Sequence, residues 1–152
     1  MKIHPATGAA TVDHFKPKSK RQELAYEWCN FRLAAHLINT NKDNYEDALD
    51  PFEIQNGWFE LNVGNFKIKP SDGLDETLKS KVQATIDRLK LNEPTFCKAR
   101  EEYHDRYHGL SQDGCPPDPL PLSWLTEECP DVAFELERQG RLRPPRPRLP
   151  RP

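Results

Sequence analysis

Thr11-Val-Asp-His-Phe-Lys-Pro-Lys-Ser-Lys-Arg21, then Trp28-Cys-Asn-Phe-Arg-Leu33 and Asn39-Thr-Asn-Lys42, is the part of the chain whose reading decides the fold. Thr11 and Val12 start a short β segment that Pro17 must end, because proline donates no ladder hydrogen bond. Lys16 to Glu23 is polar and reads as a loop. Trp28 to Leu33 is aromatic and apolar enough for a second strand, and Leu37 to Lys42 suits a short helix. The order is strand, loop, strand, helix. Asn30 lies sixteen residues beyond His14, and Asn39 nine further on.

Downstream, Trp58-Phe-Glu-Leu-Asn-Val63 and Phe66-Lys-Ile-Lys69 alternate around Gly64-Asn65 and predict a second β-hairpin. Leu74, Leu78, Val82, Ile86 and Leu89 recur at helical spacing, with Asp75 and Glu76 at the favourable end of the helix dipole. Asn92 is a candidate cap for a further helix with Pro94 in its first turn, a stripe of Phe96, Tyr103 and Tyr107, and a stop at Gly109. These two helices are expected to pair as a helical hairpin. A proline-rich loop follows at Cys115–Leu122, then a short helix over about Pro130–Gln139. The whole is α+β: a strand-strand-helix unit with an additional β-hairpin in residues 1–70, a helical subdomain in 71–139, and an Arg/Pro-rich tail in 140–152 expected to be disordered.

Apolar residues make up 36% of the 152-residue chain and charged residues 30%, which suits one small domain with a large polar surface. No run of eighteen apolar residues exists, so no membrane span is expected, and the first ten residues lack the apolar segment of a secretory signal. A cytoplasmic location is expected. In that compartment the four widely spaced cysteines are read as free thiols. Removing the five arginines of the tail from the net charge of −2 leaves −7 for residues 1–139. Any affinity for nucleic acid must therefore come from local patches.

The chemistry lies in the first segment. Cleaving a phosphodiester needs an activated water, neutralisation of the phosphoryl oxygens and help for the leaving oxygen. Asp13 can bind Mg²⁺ (or Mn²⁺) through a hard oxygen, and His14 can act as the general base. Asn39 can offer an amide oxygen to the same ion, and Asn30 can orient the imidazole or brace the loop. His36 and Asn41 compete with Asn39 for the ligand role. Neighbouring strand residues point to opposite faces, so Asp13 and His14 converge only where the strand ends or twists. Lys16, Lys18, Lys20 and Arg21 form a basic run beside His14 that can hold a nucleic-acid backbone, as can Arg32 and Lys42. Trp28, Phe31, Phe52, Trp58 and Phe59 are expected to form the core behind this hairpin. His104 and His108 stand one helical turn apart, a spacing that can chelate metal, but no persuasive set completes them.

The pattern Asp13-His14…Asn30…Asn39 resembles the HNH, or ββα-metal, nucleases, in the variant where Asn replaces the last His. By that resemblance Asp13 and Asn39 are the metal ligands, His14 the general base and Asn30 the structural Asn. Asp13–Lys20, Glu23–Trp28, Asn30–Ala34 and Leu49–Phe52 also resemble the HNH subunits of Septu-type and retron-associated anti-phage systems, which work beside an ABC-type ATPase. The resemblance implies DNA cleavage ahead of RNA cleavage, and an ATPase partner. Many relatives hold a structural zinc through C-x-x-C pairs. Ala35 and Ile38 stand at the comparable positions here, which leaves that zinc doubtful. Many relatives also carry more sequence before the Asp-His pair, so an N-terminal piece is potentially missing. Two other readings stay open: a non-catalytic interaction subunit, and a nucleic-acid-binding module with a degenerate site.

Overall fold

In the computed structural model, which describes residues 3–110 and 118–143, strand β1 (Ala10–His14) pairs antiparallel with β2 (Phe31–Ala35). Asp13 lies opposite Arg32 and His14 opposite Phe31. Alternation puts Thr11, Asp13, Arg32 and Ala34 on one face, and Val12, His14, Phe31 and Leu33 on the other. Helix α1 (His36–Lys42) follows β2 without a break. It folds over the first face, where Asn39 Nδ2 lies 3.3 Å from Thr11 Oγ1 and Lys42 Nζ 3.1 Å from Asp13 Oδ2. The second strand begins later than its composition suggests. Trp28–Asn30 forms a single 3₁₀ turn, because the Asn30 side chain is committed to the backbone of the loop.

The second hairpin joins β3 (Phe59–Asn62) to β4 (Lys67–Pro70). Its reversal is wider than a two-residue turn: Phe66 N donates to Asn62 O at 2.7 Å. Phe66, not Gly64, takes the left-handed backbone at φ 56°, and burial of its ring compensates the conformational cost.

Helix α2 (Glu76–Arg88) is capped by Asp75, whose Oδ1 accepts from Leu78 N at 3.0 Å. Helix α3 (Pro94–His108) ends at Gly109, left-handed at φ 68°. Glu93, not Asn92, occupies its cap position. The Asn92 amide instead pairs with both backbone groups of Ile68, at 2.7 and 2.8 Å. The expected helical hairpin gives way to a different packing, in which α2 lies chiefly against β4 while α3 lies on the C-terminal helices and the Pro5–Thr7 turn. An unforeseen helix α4 (Leu122–Glu128) precedes α5 (Pro130–Arg138).

The core joins Leu61, Val63 and Phe66 of the second hairpin to Tyr103, Tyr107, Leu125, Val132 and Leu136 of the helices. A division at residue 70 thus runs through one shared core. Of the aromatic core expected behind the first hairpin, Phe31, Trp58 and Phe59 are half-buried, while Trp28 is 88% and Phe52 78% exposed. Of the tail, residues 140–143 dock on the body, with Arg143 N bonded to Tyr107 Oη at 3.0 Å. The expected disorder beyond residue 143 lies outside the described residues, as does Cys115. Cys29, Cys97 and Cys129 are free thiols. Among the described residues no helix is long and apolar enough to cross a membrane.

Candidate active site

β1 ends at His14 because the chain beyond it turns into a loop closed by one side chain. The buried Asn30 amide accepts from Lys16 N at 2.7 Å and donates to Lys16 O at 2.9 Å and Leu24 O at 3.1 Å. The next carbonyl, Ala25 O, lies 3.0 Å from His14 Nε2. A carbonyl can only accept, so the proton of a neutral imidazole belongs on Nε2 and the lone pair on Nδ1. Asn30 therefore orients the imidazole at one remove, through the Leu24–Ala25 peptide. Phe31 braces the ring edge-on, with centroids 5.0 Å apart.

Asp13 points to the other face, as strand alternation requires, and is buried beneath α1. Lys42 bridges the two sides of the strand end: its ammonium lies 3.1 Å from Asp13 Oδ2 and 2.9 Å from the His14 carbonyl. Asn39, one turn earlier on α1, faces the same strand. The Thr11 hydroxyl donates to Ala34 O at 3.0 Å, so it accepts from Asn39 Nδ2, which turns the amide oxygen of Asn39 away from Thr11. Asn41 faces elsewhere, donating to Leu89 O at 3.0 Å. His36 is exposed, with its Cβ close to Gly8.

Two residues expected to contact phosphate are placed differently. Arg32 is buried in a two-pronged ion pair with Asp50, donates to Cys29 O and Phe31 O, and lies under the Phe52 ring at 4.2 Å. Its guanidinium hydrogen bond holds the Asp50 carboxyl below the usual carboxylate range. Lys42 is buried against Asp13. Both cations balance internal carboxylates, which leaves them unsuited to a phosphate backbone. Lys18, Lys20 and Arg21 are exposed and Lys16 is half-buried, with Arg21 Nη1 3.5 Å from Glu23. The sequence carried no spacing signal for the Arg32–Asp50 pair.

The His104 and His108 rings lie tilted at 47° with centroids 4.5 Å apart, and His104 Nδ1 lies 2.9 Å from Asp105. Burial, then the neighbouring His104 and Arg143, pushes His108 down. Among the described residues no three His, Cys, Asp or Glu side chains gather as a metal-binding set.

The Asp13 carboxylate is the hard oxygen donor that a magnesium ion uses. In this structure it is buried and its cation partner is the Lys42 ammonium, 3.1 Å from Oδ2 and 3.3 Å from Oδ1, so a metal ion there would have to displace Lys42. The chain matches no protein-family model, and no curated protein matches it.

Proposed function

We propose that this chain is a metal-dependent endonuclease of the HNH, or ββα-metal, type that hydrolyses phosphodiester bonds in DNA. The observation that carries the reading is an oriented imidazole and a buried carboxylate on adjacent residues at one strand end, with their side chains on opposite faces of the hairpin rather than converging. His14 is held through Nε2 by Ala25 O, and Asp13 lies under α1 against the Lys42 ammonium. His14 Nδ1 takes the proton from the attacking water. Asp13 and the Asn39 amide oxygen are the groups that would hold Mg²⁺ or Mn²⁺. When bound, such an ion supplies charge neutralisation at the phosphoryl and leaving 3′ oxygens. Asn30 keeps the imidazole aimed by bracing the loop, and Lys18, Lys20 and Arg21 offer phosphate contacts from that loop. The resemblance to Septu-type and retron-associated subunits extends the proposal to anti-phage defence in the cytoplasm beside an ABC-type ATPase.

The test is cleavage of duplex plasmid and of single-stranded circular DNA in Mg²⁺, Mn²⁺ and EDTA. His14→Ala is expected to lose about 10²–10⁴-fold in rate, and Asp13→Ala to lose metal-dependent cutting. Undiminished cleavage by His14→Ala would remove the mechanism. A second reading, a binding module with a degenerate site, draws on the neutralisation of Asp13 by Lys42. It predicts salt-sensitive DNA binding unaffected by Asp13→Ala, and no metal-dependent cutting.

A further inference from the structure

The face of the first hairpin opposite α1 carries an uncovered apolar surface. Val12 and Leu33, cross-strand partners on that face, are 63% and 73% exposed. The loop that closes the hairpin adds Trp28 at 88% and Tyr26 at 91% exposure. Large aromatic side chains are usually substantially buried, so such an exposed group calls for an account.

Trp28 is tied to the candidate base by a row of rings. Its indole meets Phe31 edge-on, with centroids 5.7 Å apart and planes at 80°. Phe31 in turn meets His14 at 5.0 Å and 67°. The indole is thus held by one T-shaped ring contact while remaining largely open to solvent. The loop that carries it also holds Lys16, Lys18, Lys20 and Arg21, against only Glu23 and Glu27 among its acids. Its local charge is positive although residues 1–139 as a whole are acidic. A flat aromatic face beside cations matches a nucleic-acid strand, which presents a π-face on each base and a phosphate at each step. In a duplex those faces are already stacked, so only an unpaired base can use the indole.

We propose that Trp28 is a stacking platform which positions an unpaired base of single-stranded DNA beside His14, while Lys18, Lys20 and Arg21 hold the adjoining phosphates. The proposal rests on the nuclease reading for its place beside the candidate base, and names the form of DNA that the site accepts. Trp28 is a substrate-positioning residue, touching the base and leaving proton transfer to His14.

The test measures binding of the full chain to a labelled oligo-dT strand, to its duplex with oligo-dA, and to an oligo-U strand, by fluorescence anisotropy in EDTA. Without metal no cleavage intervenes. Wild type is expected to bind the single strand more tightly than the duplex. Trp28→Ala should weaken single-strand binding about tenfold with the salt slope unchanged, and Trp28→Tyr should recover most of that loss. Circular dichroism of each variant should match wild type, because the side chain is exposed. Equal single-strand affinity of wild type and Trp28→Ala would overturn the proposal. So would duplex binding as tight as single-strand binding, tighter binding of oligo-U than of oligo-dT, or no binding at all. Cleavage measured separately in Mg²⁺ distinguishes the two claims. Stacking without cutting removes only the nuclease reading, and His14-dependent cutting indifferent to Trp28→Ala removes only the platform. If Trp28→Ala cuts more slowly, the platform requires KM to rise more than kcat falls.

Discussion

Lys42 Nζ lies 3.1 Å from Asp13 Oδ2, and both side chains are almost fully buried, at 5% and 10% exposure. A carboxylate in that position needs a cation, because an isolated buried charge loses far more hydration than its surroundings return. The last turn of α1 supplies one, and the same ammonium reaches the His14 carbonyl at 2.9 Å. Lys42 thereby joins the helix end to the strand end on which both candidate catalytic side chains stand.

Replacing Lys42 by Met should leave Asp13 buried and unpaired, at a cost of about 3–5 kcal/mol. If the position accepts a divalent ion, Mn²⁺ should raise the melting temperature of Lys42→Met more than that of wild type, since binding to the folded state alone stabilises it. Thermal melts with Mn²⁺ and with EDTA measure both effects. A variant indifferent to Mn²⁺ would count against Asp13 as a metal ligand.

Asn30→Ala should destabilise the protein by about 2–3 kcal/mol, from three hydrogen bonds at roughly 1 kcal/mol each. Asn30→Asp keeps the acceptor for Lys16 N but cannot donate to Lys16 O or Leu24 O, and should also lose stability. Urea titrations give the energies. Hydrogen exchange should show faster opening of the loop over residues 15–30 than of α3. Unchanged loop protection in Asn30→Ala would contradict its bracing role.

The Arg32–Asp50 pair gives stability a defined pH dependence. Arg32 depresses the folded-state carboxyl of Asp50. Its contribution is therefore fully present above the unfolded aspartate value of about 3.9, and is lost as pH falls through the lower folded value. The stability difference between wild type and Asp50→Asn should be largest near neutral pH and shrink on acidification across that window. Denaturant titrations from neutral pH downward test the sign, and a difference that grew on acidification would reverse it.

Thiol reactivity should separate the cysteines by burial. Burial pushes the Cys129 thiol up to about 11, and the thiolate is the nucleophile. Cys29 is exposed. Alkylation at mildly alkaline pH, mapped by mass spectrometry, should modify Cys29 first and spare Cys129 until denaturant is added. Rapid native labelling of Cys129 would contradict the packing of α4 and α5 around it.

Elements that depend on local chemistry were legible in the sequence. Pro17 and the polar run after His14 marked the end of β1. The apolar spacing of Leu78, Val82 and Ile86 marked α2, and Gly109 marked the stop of α3. The strand-strand-helix order of the first forty-two residues was legible too, because strand alternation and short connections act over a few residues. The structural role of Asn30 was also legible in outline, as a brace for the loop.

What the sequence could not show is which charges would meet. Arg32 and Lys42 read as surface cations and are buried, because Asp50 and Asp13 reach them across eighteen and twenty-nine residues. Trp28 and Phe52 read as core and are exposed, because the core formed around Leu61, Phe66 and Tyr107 instead. Local propensity and periodicity are properties of neighbouring residues, so sequence alone determined the order and type of most elements. Ion pairing and burial depend on how distant segments close on one another. Only the tertiary structure decided that Lys42 faces Asp13 and that His14 is held by Ala25.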